Sequence, residues 1–107
     1  MAILVVTCTF PDHEIAWRIS RTAVANGLAA CATLIPDARS IYRWKGRIET
    51  AQETAVTFKT NPDRFDALRT FILREHPYAV PELIAWPVSD GSPDYLAWVE
   101  ASTKGSG

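Results

Sequence analysis

Cys31-Ala-Thr-Leu-Ile-Pro-Asp-Ala-Arg-Ser-Ile-Tyr-Arg-Trp-Lys-Gly-Arg-Ile-Glu, residues 31–49, is the stretch whose reading decides the fold. β-Branched and aromatic residues run up to a tight turn and continue past it, the pattern of one long β-hairpin. Gly46 supplies the positive φ that a two-residue turn or a G1 bulge requires, and Lys45 before it leaves the choice between them open. With a two-residue turn, Tyr42 faces Glu49, Arg43 faces Ile48, and the return strand runs through Glu53 to Lys59. Both strands then exceed the usual length of about five or six residues. Ile41 points to one face and Tyr42 and Trp44 to the other, and a chain of this size cannot cover two such faces with its own helices. Apolar side chains beside a long free edge require a partner chain, so an oligomer built on this hairpin is expected.

Upstream, residues 2–9 are nearly continuous in apolar, β-branched side chains, as in a central strand covered on both faces. Asp12 caps a helix whose stripe is Ile15, Ala16, Ile19 and Ala23, and Gly27 provides its left-handed end. The first hairpin strand spans residues 28–44, bent where Pro36-Asp37 interrupts it. Downstream, Asn61-Pro62 starts a second helix with Phe65, Leu68 and Ile72 inward, and His76-Pro77 closes it. Residues 82–88 read as a fourth strand, and Ser92-Pro93-Asp94 caps a short last helix carrying Tyr95, Trp98 and Val99. The order βαββαβ plus a small helix is the split βαβ, or ferredoxin-like, pattern of the α+β class. It places the first strand beside the third and fourth, so Cys8 and Cys31 are not expected to form a disulfide.

The 107 residues suffice for one domain, residues 1–103, with residues 104–107 expected to be a disordered tail. The composition is 48% hydrophobic and 21% charged with a net charge of −1, which places the chain among ordinary globular proteins. No basic stripe suggests a nucleic-acid or acidic-membrane partner. No apolar run approaches the ~20 residues of a membrane span, and the first residues lack the charged region and cleavage site of a signal peptide. Two cysteines in such a chain read as reduced thiols, and the expected location is the cytoplasm.

Motifs for nucleophilic catalysis or phosphate cradling are missing, so no enzymatic activity is expected. His76 stands at the end of the buried helical stripe with Glu75 beside it, and Cys8 lies at the C-terminal end of the first strand. An imidazole, a carboxylate and a thiolate would together offer a transition metal a mixed N/O/S site. Residue types alone favour structural roles, since a helix C-terminus accommodates His through its dipole and Cys is a common buried hydrophobe. His13 reads as a solvated first-turn residue. Glu49 and Glu53 read as solvated charges, and Tyr42, Trp44, Tyr78, Trp86, Tyr95 and Trp98 as core and interface anchors.

Taken together, Cys8-Thr9 with Pro11-Asp12, the run from Ala30 to Pro36, Ile41-Tyr42-Arg43-Trp44-Lys45-Gly46, Lys59-Thr60, His76-Pro77-Tyr78 with Pro81-Glu82-Leu83, and Asp94-Tyr95-Leu96 with Trp98 resemble the CutA family of divalent-cation tolerance proteins. The resemblance covers nearly all of residues 3–102. It implies a ferredoxin-like fold assembled as a homotrimer, with hairpin strands pairing between subunits. It also implies binding of copper or another divalent metal ion and a part in the response to metal ions, with the ligand positions carried over to Cys8, Glu75 and His76. Where a family member with assigned copper ligands has two consecutive histidines, this chain has Glu75-His76; the harder carboxylate weakens a preference for copper(I) and leaves copper(II) or zinc. The alternative is a trimeric signalling module similar to the nitrogen-regulatory PII proteins, binding a small ligand between subunits. That reading asks for a long loop between the second and third strands, where only Lys45-Gly46 stands. An RNA-binding version of the same fold asks for paired aromatic motifs, and Val56-Thr57-Phe58-Lys59 matches them poorly.

Overall fold

A computed structural model describes residues 2–103 of the chain. Its elements are β1 (Leu4–Phe10), α1 (His13–Ala25), β2 (Cys31–Trp44), β3 (Arg47–Thr60), α2 (Pro62–Glu75), β4 (Leu83–Pro87) and α3 (Pro93–Ser102), and the sheet order is β2-β3-β1-β4. This is the ferredoxin-like arrangement, with β3 inserted antiparallel between β2 and β1. The expected tail at 104–107 lies outside the described residues.

Local chemistry explains the element ends. Asp12 Oδ1 accepts the amides of Glu14 and Ile15 at 2.7 and 3.3 Å, capping α1. At its other end Gly27, with φ 70°, donates to the carbonyl of Val24 while Leu28 donates to that of Ala23. This Schellman closure takes Leu28 into the helix cap, so β2 begins at Cys31 rather than residue 28. Asn61 caps α2 through the Asp63 amide at 2.8 Å and also donates to Thr103 Oγ1 at 2.8 Å, tying α2 to the end of α3. Ser92 occupies the N-cap position of α3 without a side-chain hydrogen bond to it; Pro93 alone sets that start.

The hairpin has the expected register, with Tyr42 opposite Glu49 and Arg43 opposite Ile48. Lys45 and Gly46 both have positive φ, 49° and 79°, so the turn is the two-residue I′ kind. The bend at Pro36-Asp37 is a bulge: pairing steps from Ile35–Ala55 to Ala38–Glu53, and Asp37, with φ 61°, accepts from Gln52 Nε2 at 2.6 Å.

The main core lies between one face of the sheet and the two long helices. Val6, Cys8, Phe10, Val56 and Phe58 pack there on Ala16, Ile19, Ala23, Leu68 and Ile72. Burial of β1 alternates, with Val5, Thr7 and Thr9 only partly covered, so a single chain covers this strand on one face and not on both as expected. Beyond Thr54, β3 pairs with β2 alone, and this two-stranded arm stretches the molecule to 45 × 26 × 21 Å. Ile41 and Ile48 are exposed along it, and Ile35 at its base.

Candidate functional site

The C-terminal end of β1, the C-terminus of α2 and the 77–82 segment converge at the base of the arm. His76 is the C-cap of α2, its backbone turned extended because Pro77 follows. The turn brings its ring back onto β1, where it stacks on Phe10 with centroids 4.6 Å apart. Nδ1 accepts the Tyr78 amide at 3.0 Å, so the proton sits on Nε2, which donates to the Thr9 carbonyl at 2.7 Å. Both ring nitrogens are thus engaged by backbone.

Cys8 is fully buried, and its Sγ lies 3.8 Å from the same Thr9 carbonyl oxygen. Burial, followed by the negative charges of Glu82 and Glu53, pushes its thiol up to about 12 from an ordinary 9.0, so the side chain is protonated at neutral pH. Cys8 and His76 therefore meet at one carbonyl. Glu75 does not join them: it is exposed, receives Arg74 Nε at 3.4 Å, and borders the groove between α1 and α2. Among the described residues no three or more His, Cys, Asp or Glu side chains gather closely enough to hold a metal ion. The three residues form no ready-made metal centre within one chain. Both cysteines are free thiols.

A second feature was not legible as a site in the residue types. A cleft of about 680 Å³ opens between the arm and the 77–82 segment, with Tyr42, Trp44, Tyr78, Glu53 and Glu82 in its walls. Glu53 is only 6% exposed, and the Tyr78 hydroxyl donates to its Oε2 at 3.3 Å. Tyr78 has its own pKa raised by burial and then by the Glu53 charge and hydrogen bond. Glu53 and Thr54 are consecutive and both buried, a break in strand alternation opposite the Pro36-Asp37 bulge. That proline in the partner strand was the available signal that Glu53 is not an ordinary solvated charge.

With this geometry in hand, the chain can be placed among known proteins. The family model described as CutA1 divalent ion tolerance protein matches residues 4–102. The divalent-cation tolerance protein CutA of Yersinia pestis (strain Pestoides F) is 46% identical over 99 residues, covering 92% of this chain and 83% of that protein. The crystal structure of CutA from Xylella fastidiosa superposes with a TM-score of 0.92 at 43% identity, covering 95% of this chain and 98% of that one. The periplasmic divalent cation tolerance protein CutA from Archaeoglobus fulgidus does so with a TM-score of 0.91 at 30% identity, covering 95% and 99%.

Proposed function

The chain belongs to the CutA1 divalent ion tolerance family, and from that premise we propose that it works as a non-enzymatic homotrimer that binds copper or another divalent cation and contributes to metal tolerance. The observation that carries this reading is the meeting of a thiol and an imidazole, Cys8 and His76, at the carbonyl of Thr9. These are the soft donors such an ion would seek, with Glu75 as the third of the residues carried over from the family. Because the thiol is protonated and the imidazole engaged, binding has to displace a proton and compete with a 2.7 Å hydrogen bond. The reading is therefore of a weak, proton-releasing association rather than a permanent centre.

The trimer is supported by the arm, whose outer edge has no partner among the described residues and whose Ile41 and Ile48 are 74% and 62% exposed. Two free thiols suit a reducing compartment, and the cytoplasm is the location this reading adopts. No helix among the described residues is long and apolar enough to cross a membrane.

Native mass spectrometry with competing copper and zinc reports subunit number and metal occupancy together. Wild type, His76→Ala and Glu75→Gln are compared at fixed pH. Loss of the imidazole should weaken binding more than loss of the carboxylate, which water can replace as a ligand. Equal affinities in all three proteins would remove this trio from the metal reading.

A further inference from the structure

Two places in the chain set an Asn or Asp before a glycine, Asn26-Gly27 and Asp90-Gly91. In such a pair the glycine nitrogen can attack Cγ of the residue before it and close a five-membered succinimide, because no Cβ crowds its approach. The fold treats the two pairs differently. Gly27 closes α1, and its N–H is committed to the Val24 carbonyl at 3.0 Å. Asp90-Gly91 lies exposed in the irregular link between β4 and α3, away from the arm and from Cys8, Glu75 and His76. There the Gly91 amide has no backbone acceptor among the described residues and donates instead to Oδ1 of Asp90 itself, at 2.8 Å. One C–O bond of about 1.2 Å joins that oxygen to Cγ, so the carbon stands within about 4 Å of the nitrogen. A small side-chain rotation separates this from the roughly 3–3.5 Å of a near-attack geometry.

We propose that Asp90 is a site of spontaneous isoaspartate formation in the folded protein, while the helix cap protects Asn26. The Gly91 nitrogen bonds to Cγ of Asp90, and the amide proton leaves with the hydroxyl of the carboxyl group, in its acid form, as water. Water then adds to one of the two imide carbonyls. Breaking the bond from nitrogen to the original main-chain carbonyl leaves the chain running through Cβ and Cγ, one carbon longer, with the α-carboxylate as its side group. Breaking the other restores aspartate. No oxidant, metal or partner takes part. The fold tolerates the longer link, because both of its ends are anchored. Upstream, Val88 donates its N–H to the Ile3 carbonyl at 2.9 Å; downstream, α3 is held by Val99, packed with Ile3 and Ala30, and by Asn61 Nδ2 donating to Thr103 Oγ1. Between them Ser92 makes no side-chain capping bond that an extra carbon could break.

The test is peptide mapping of the full-length protein after ageing, natively and in urea, at the same pH and temperature. Electron-transfer fragmentation distinguishes isoaspartate from aspartate in peptides of equal mass, and deamidation of Asn26 is followed by its mass change in the same digests. Asp90→Glu, shown to be folded by circular dichroism, keeps the charge but would need a six-membered ring. The expected result is isoaspartate accumulating at position 90 of the native protein and lost in Asp90→Glu. The native-to-urea rate ratio should be at least about tenfold larger at Asp90 than at Asn26, whose reaction waits on local opening of the cap. The inference is overturned if native protein forms no isoaspartate at position 90 over a time in which the urea sample does. Equal rate ratios at the two sites, or an undiminished product in Asp90→Glu, overturn it too.

Discussion

His76 donates its Nε2–H to the carbonyl of Thr9 at 2.7 Å, and this one bond fastens the end of α2 to the end of β1. The same ring receives the Tyr78 amide and stacks on Phe10, so three neighbours depend on it. His76→Ala should lower stability by about 3 kcal/mol, leaving a buried carbonyl and an amide without partners. His76→Phe should recover the stacking contribution only. Urea unfolding of the two variants separates these contributions; indistinguishable midpoints for wild type and His76→Ala would show that the bond is dispensable.

Glu53 is buried, accepts a hydrogen bond from the Tyr78 hydroxyl and has no ion-pair partner among the described residues. Glu53→Gln keeps an acceptor for the Tyr78 hydroxyl and removes the charge, and should stabilise the protein by about 1 kcal/mol. Differential scanning calorimetry reads this as a higher melting temperature. A lower one would mean that the carboxylate is compensated in the folded protein.

The I′ turn places a lysine at φ 49° and a glycine at φ 79°. A Cβ at position 46 would meet nothing within 4 Å, so the cost of Gly46→Val is purely conformational, about 1–2 kcal/mol. Lys45→Asn, better suited to positive φ, should raise stability by roughly 0.5 kcal/mol. Thermal unfolding of both variants, with opposite signs of change, is the check.

Assembly should depend on the exposed arm. Ile48, 62% exposed in the single chain, would be buried against a neighbouring subunit, and Ile48→Glu should shift the sedimentation equilibrium mass from trimer towards monomer at micromolar concentration. A wild-type protein that sediments as a monomer at that concentration refutes the trimer outright.

Alkaline pH should weaken the fold. Cys8 is pushed up from 9.0 to about 12 chiefly by burial, and Tyr95 from 10.0 to about 12 chiefly by its hydrogen bond with Cys31. Between those values the native state holds protons that the unfolded chain releases, so stability is fully present below about pH 9 and falls as pH rises towards 12. Cys8→Ala should flatten part of that fall in melting temperature. Iodoacetamide at pH 8 should modify Cys8 only when the protein is unfolded, as mass mapping can report.

Much of the architecture is decided by local chemistry, which is why it can be read without coordinates. Asp12, Gly27, Asn61-Pro62 and Lys45-Gly46 act within a few residues of themselves, through caps and turn conformations, and they delimit the elements almost to the residue. The strand order follows from the element order, and Cys8 at a strand end and Glu75-His76 at a helix end were legible as donor side chains, singled out together by the family resemblance. What they do was not, because it depends on groups distant along the chain. Thr9, 67 residues away, accepts the proton of His76, while Glu75 turns to the α1–α2 groove instead of towards Cys8. Glu53 shows the same limit. Its charge suits a solvated strand position, yet the tertiary fold brings Tyr78 from 25 residues downstream over it and makes it a buried carboxylate facing an aromatic cleft. Desolvation is a property of everything that surrounds a group in space, and only packing of the arm against the 77–82 segment decided it here.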